Sequence, residues 1–156
     1  MSDAVEELAE AVTSGGVSVI GSLNNEWAKY QKLMNSIKEA ARCSPYITDN
    51  QIKRLEKFAL ELRDRTGIYI IEILGAIEHL VRVGNDKERI EKVISVAAEM
   101  SIKGKMNFIK AVRLLYQTLV LETDGLVHIY PGLAALSATE LAQGKAIDCI
   151  SETLKC

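Results

Sequence analysis

The chain has 156 residues, of which 48% are hydrophobic and 26% charged, so it has the composition of a globular protein and the length of one ordinary domain. The formal net charge of −2 gives no reason to expect a nucleic acid or an acidic membrane surface as a partner. Aromatic residues make up only 5%, which predicts an aliphatic core. We expect a single helical domain over residues 1–156.

The cysteines and the lengths of the apolar runs indicate the cellular compartment of the protein. Cys43, Cys149 and Cys156 are scattered and form no CxxC pair, which suits a reducing environment and argues against a disulfide framework or a cysteine zinc site. The N terminus is acidic from Asp3 onward, unlike a signal peptide. No uncharged apolar run reaches the roughly 18 residues that span a bilayer. The sequence therefore predicts a cytoplasmic protein with no membrane segment.

Helical spacing of apolar residues begins near the N terminus. Residues 2–12 predict a short first helix. A second helix is predicted from about Val17 or Ser22 to Cys43, and Pro45 ends it because the residue before a proline is pushed out of the helical conformation.

The most apolar stretch, residues 68–77, carries a charge only at Glu72. A helix with apolar residues on every side is normally buried on every side, so we expect a central helix surrounded by the others. The three-or-four spacing predicts one continuous helix from Thr48 to Gly84, with Thr48 and Gln51 as a capping box.

The C-terminal half predicts two more long helices and an irregular connection. A capping box at residues 85–88 starts a fourth helix, and a second very apolar helix follows over about residues 105–123. Residues 126–130 look extended, and a last helix begins at Pro131 or Ser137.

These elements predict an all-α fold, an up-and-down bundle of four long helices plus one or two short ones. Two helices, about residues 68–80 and 111–121, are hydrophobic nearly all round, and a bundle of this size surrounds one such helix more easily than two. We therefore expect part of one face to lie in a subunit interface, most simply in a two-fold homodimer. The predicted function is self-association or protein-partner binding, without a cofactor or an evident catalytic constellation.

One polar seam is a candidate site. At helical angles Glu61, Arg65, Glu72 and His79 share a stripe beside the apolar face of the predicted continuous helix. One interpretation is an acid/base or metal-binding seam between helices. The other is a groove-edge stripe in which Glu72 reaches water or pairs with a basic residue of another helix.

An acidic string near the N terminus supplies the alternative function. Glu6-Glu7-Leu8-Ala9-Glu10 resembles the Glu-Glu-x-x-Glu motif of all-α nucleoside triphosphate pyrophosphohydrolases of the MazG type. The resemblance implies a divalent-metal-dependent enzyme whose acids, here Glu6, Glu7, Glu10, Glu61 and Asp64, hold magnesium and the phosphates. The second half, Glu61-x-x-Asp64, lies beyond the spacing usual in that family, and the helix dipole alone favours acids in a first turn.

A modest basic cluster surrounds Gly104 and consists of Lys103, Lys105, Lys110 and Arg113. It either meets a phosphate or an acidic partner, or it is a solvated helix end. No aromatic residues alternate with these basic side chains as base stacking would require.

Overall fold

The computed structural model describes the backbone of residues 17–155 and the side chains from residue 25 onward. The described residues form eight α-helices, one short 3-10 helix and no strand, so the predicted all-α class is confirmed. The helices are α1 (Val17–Arg42), α2 (Asp49–Thr66), α3 (Ile70–Arg82), α4 (Lys87–Ile102), α5 (Phe108–Leu119), α6 (Asp124–Val127), α7 (Ala138–Ala142) and α8 (Lys145–Leu154), and the 3-10 helix is Pro131–Ala135. The helix predicted over residues 2–12 lies outside the described residues.

The chain divides into two compact units, Met1–Glu91 and Lys92–Cys156, and α4 runs across the boundary. The single domain and the up-and-down topology stay predictions. In the part of the chain that the structure describes, no helix has the length and apolar character needed to cross a membrane.

The first unit is built on an aliphatic core in which α3 packs against α1 and α2. Apolar residues three and four apart on each helix face inward, as helical geometry requires. The largest fully buried side chains on these three helices are Ile37, Leu55, Leu62, Ile73, Leu74, Ile77 and Leu80.

The continuous helix predicted from Thr48 to Gly84 is wrong, because the chain breaks between α2 and α3. Gly67 adopts a left-handed conformation with φ 76° and donates its N–H to the carbonyl of Arg63, which closes α2. The Thr66 hydroxyl then accepts the N–H of Ile68 at 3.2 Å. Tyr69 is extended and precedes α3. The predicted capping box at the start of α2 is confirmed, since Thr48 and Gln51 bond reciprocally.

The expectation that the apolar stretch is buried on every side is also wrong. Ile73, Leu74 and Ile77 are fully buried on one side of α3, whereas Glu72 and His79 are exposed on the other. Helix α3 therefore buries one side only, and most of its apolar surface is buried within the first unit.

The start of α4 differs by one residue from the predicted capping box at 85–88. Asp86 caps the helix by accepting the N–H of Arg89 at 2.8 Å. Asn85 is buried and donates its side-chain amide to the carbonyl of Leu80 at 3.0 Å. The Asn85 amide thus provides a hydrogen-bond donor for a carbonyl at the end of α3, where helix termini leave carbonyls without intrahelical partners.

In the second unit α5, α7 and α8 pack together. The prediction of an extended segment at 126–130 is wrong, because the Thr123 carbonyl accepts the N–H groups of Leu126 and Val127 and forms the single turn α6. Gly125 permits this turn, since a Cβ there would lie 2.5 Å from Leu114 Cδ2.

The predicted last helix is divided into three pieces. The 3-10 turn Pro131–Ala135 comes first, a capping box between Ser137 and Glu140 then starts α7, and Gly144 in the left-handed conformation separates α7 from α8. Hydrogen bonds with the backbone and the hydroxyl of Ser137 hold the pKa of the exposed Glu140 carboxyl below its ordinary value.

Two glycines in the first unit provide opposite tests of the helix break. Replacing Gly67 by Ala puts a Cβ on a left-handed residue and should lower the free energy of unfolding by about 1–2 kcal/mol. Replacing Gly75 by Ala, inside α3 with no atom within 4 Å of the new Cβ, should raise it by about 1 kcal/mol. Urea unfolding measures both. Equal effects of the two variants would contradict the break at Gly67.

Candidate functional site

The four residues of the predicted polar seam are all exposed. Glu61 and Arg65 lie one turn apart on α2, while Glu72 and His79 lie two turns apart on α3. Because the chain leaves the helical conformation at Gly67, the two pairs do not belong to one continuous helical stripe. The four residues therefore lie on two separate helices, and a functional seam between these helices stays a prediction.

The acidic residues of the alternative function fall into two groups. Glu6, Glu7 and Glu10 lie outside the described residues. Glu61 and Asp64 are exposed on α2, and Asp64 pairs with the neighbouring Arg63 at 2.7 Å. Across residues 25–155 no three histidine, cysteine or acidic side chains come together as metal ligands would.

Helix α5 has a buried apolar face and an outer face on which aliphatic and polar side chains are mixed. Its inner face is buried and consists of Phe108, Ala111, Val112, Leu114, Leu115 and Thr118. On the opposite side Ile109, Arg113, Tyr116 and Val120 fall within about 60° of one another at 3.6 residues per turn, and we call these four residues the α5 stripe. Ile109 is 46% exposed and Val120 is 50% exposed, which leaves large aliphatic side chains in water.

Leu121 extends this exposed apolar surface at the end of α5. It is 51% exposed and is the one residue other than glycine that has a positive φ, 72°, in the part of the chain that the structure describes. Its N–H bonds the carbonyl of Thr118, and the N–H of Glu122 bonds that of Gln117. This pattern is the Schellman motif, whose left-handed residue is usually glycine.

The same motif ends α3 and α4, and there the left-handed residues are Gly84 and Gly104. The left-handed conformation costs a residue with a Cβ about 1–2 kcal/mol. At Leu121 the chain therefore holds a strained backbone and a large exposed apolar side chain at one position. Neither feature is explained by packing within the described chain.

A second surface feature is an open groove of about 400 Å³ between α4 and α8. The Lys103 ammonium donates to the carbonyl of Leu154 at the end of α8, and Lys155 pairs with Glu152 at 3.3 Å. Both lysine charges are thus engaged within the chain. The lining residues are Ser95, Val96, Glu99, Lys103, Ser151, Leu154 and Lys155.

Two buried tyrosines differ in their hydroxyl partners. Tyr30 is 2% exposed and donates to Glu56, and its ring stacks on Trp27 with centroids 5.9 Å apart. Tyr130 is 5% exposed, and its hydroxyl has no hydrogen-bond partner among the described residues. Burial raises the pKa of the Tyr130 hydroxyl above 10.0.

The sequence pattern identifies α5 as unusually apolar but does not identify which of its residues are exposed. Residues 111–121 were predicted to be apolar nearly all round, yet Ile109 lies just outside this range. The positive φ at Leu121 has no sequence signal, because the usual glycine is absent.

Comparison of the chain with protein-family models, with curated proteins and with solved structures finds no match in any of the three.

The two tyrosines give opposite predictions for removal of a hydroxyl. Tyr130→Phe should raise the free energy of unfolding by about 1 kcal/mol because it removes a buried donor without a partner. Tyr30→Phe should lower it by about 1–2 kcal/mol because it breaks the bond to Glu56. Chemical denaturation of both variants at neutral pH measures this difference, and a loss of stability in both would contradict it.

The raised pKa of Tyr130 also predicts a pH dependence. A raised pKa favours the protonated hydroxyl in the folded state, so this contribution is present below pH 10 and is lost as pH rises through the folded pKa. Tyr130→Phe should therefore lose less stability than the unmodified protein above about pH 10. Identical alkaline unfolding curves would contradict the buried state of this hydroxyl.

Proposed function

We propose that the protein acts by binding protein, and that its partner is a second copy of the same chain joined through the α5 stripe. The exposure of Ile109 and Val120 opposite the buried face of α5 is the observation that carries this proposal. Burial of such apolar surface is the main favourable contribution to protein association, about 25 cal/mol per Å². In a two-fold dimer the same patch on each of the two copies is buried against the other.

The size of the surface sets the expected affinity. The α5 stripe is about 16 Å long at 1.5 Å per residue, and stable complexes bury roughly 800 Å² on each partner. A single helix face of this length is smaller than that, which is typical of weak, transient interfaces. We therefore expect a reversible dimer with a dissociation constant in the micromolar range.

The cysteines support a cytoplasmic setting for this protein. Cys43 is exposed and Cys149 is half-buried, and both are free thiols. Exposed free thiols persist in reducing compartments and tend to form disulfides in oxidising ones.

Introducing a charge into the α5 stripe should abolish association. Ile109→Glu and Val120→Glu each place a carboxylate where apolar side chains meet, so we expect a dissociation constant at least tenfold higher, equivalent to about 1.4 kcal/mol. Sedimentation velocity over a range of protein concentrations measures this constant. Val83→Glu is the matched control, because Val83 is 40% exposed at the end of α3, and it should associate like the unmodified protein. An unmodified protein that stays monomeric at high micromolar concentration overturns the proposal.

Replacing Leu121 by glycine should change stability and association in opposite directions. Leu121→Gly relieves the left-handed strain and should raise the free energy of unfolding of the monomer by about 1 kcal/mol. It should also raise the dissociation constant, because the exposed side chain is lost. Leu121→Ala is the control: it should weaken association without the gain in stability, since alanine keeps the strain. Unchanged association in both variants would remove Leu121 from the interface.

A further inference from the structure

The charges around α5 are unevenly distributed between its two ends. Lys105 and Lys110 are exposed at the beginning of the helix, where the helix dipole is also positive. Glu122 and Asp124 are exposed just after its end. Within residues 25–155, no ion pair engages any of these four side chains. The exposed surface of α5 is therefore positive at one end and negative at the other.

The spacing of residues in the α5 stripe is the same in both directions along the helix. Ile109 and Arg113 are four positions apart, and Tyr116 and Val120 are also four positions apart. When a second copy lies antiparallel, Ile109 meets Val120 and Arg113 meets Tyr116. The first contact is aliphatic on both sides. The second places a guanidinium over an aromatic ring, a favourable cation–π contact.

A parallel pair lacks this complementarity. Arg113 would face Arg113 of the other copy. The lysines at the start of α5 would face lysines, and the acids after its end would face acids. Like charges placed opposite each other disfavour an interface. Only the antiparallel direction joins the basic beginning of one helix to the acidic end of the other.

We infer that two copies of the chain pair antiparallel along the α5 stripe, with Lys110 of each copy beside Glu122 of the other. This inference rests on the proposed self-association and adds its direction and register. The two-fold axis passes between Arg113 and Tyr116, near the middle of the stripe. Each ion pair occurs twice in the dimer, because the contact is isologous.

A double-mutant cycle tests the register. Lys110→Glu opposes two acids at each end of the dimer, and Glu122→Lys opposes two bases, so each variant should dimerise about tenfold more weakly at low ionic strength. The double variant restores both pairs with reversed sign and should dimerise like the unmodified protein. Lys38→Glu is the matched control for the change of net charge, because Lys38 is exposed on α1 in the first unit, and it should leave the constant unchanged.

Mixing the double variant with the unmodified protein tests the direction independently. In an antiparallel heterodimer Lys110 of the unmodified chain would face a lysine, and Glu122 would face a glutamate, so heterodimers should be depleted below the statistical fraction. A parallel pair brings opposite charges together at both positions and would enrich them. Native mass spectrometry of an isotope-labelled mixture counts the species.

The outcomes separate the inference from the proposed function. A dimer that Ile109→Glu dissociates, but whose affinity is the same in the single and double charge variants, overturns the antiparallel register and leaves self-association through the stripe intact. Enriched heterodimers overturn the direction in the same way. A monomeric unmodified protein overturns both proposals.

Discussion

The second unit is assembled on the buried face of α5, and large aliphatic side chains also lie on the opposite side of this helix. Ala111 and Leu115 are fully buried, while Ile109 and Val120 on the other side are about half exposed. Two helices that pack against α5 are short: α7 has 5 residues and α8 has 10. Because Ile109 and Val120 stay about half exposed, the outer side of α5 is left to water or to another molecule.

The residue that ends each helix distinguishes α5 from α3 and α4. Gly84 and Gly104 close α3 and α4 with the left-handed residue that a Schellman motif requires, and glycine adopts it without a steric penalty. Leu121 closes α5 in the same way at a conformational cost. Because its side chain is half exposed, burial within the chain offsets little of that cost, whereas burial against a second copy, as we propose, would offset it. Strained backbone positions cluster at functional sites such as ligand clamps and switch regions, which motivates the proposed role of Leu121.

Much of the fold follows from local sequence, and most of the rest depends on packing. Helical spacing predicts the all-α class, and the capping boxes at Thr48 and Ser137 mark the starts of two helices. The break at Gly67 was not predictable from residue type, because Gly67 and Gly75 stand in the same apolar helical pattern and only Gly67 takes the left-handed conformation that ends a helix. The sequence left open whether Glu72 is buried or reaches water; it is exposed, because the positions of α1 and α2 decide which side of α3 meets water. The apolar excess of α5 was readable from the sequence, but its exposed residues were not, for the same reason.

The most direct test of self-association through α5 is the concentration dependence of the backbone amide resonances in two-dimensional NMR. On dilution through the micromolar range, the resonances of residues 109–121 should move together along one binding curve, and those of α1 and α2 should stay in place. Resonances that do not change with concentration would contradict self-association. Changes centred on the groove between α4 and α8 would show that the copies meet through a different surface.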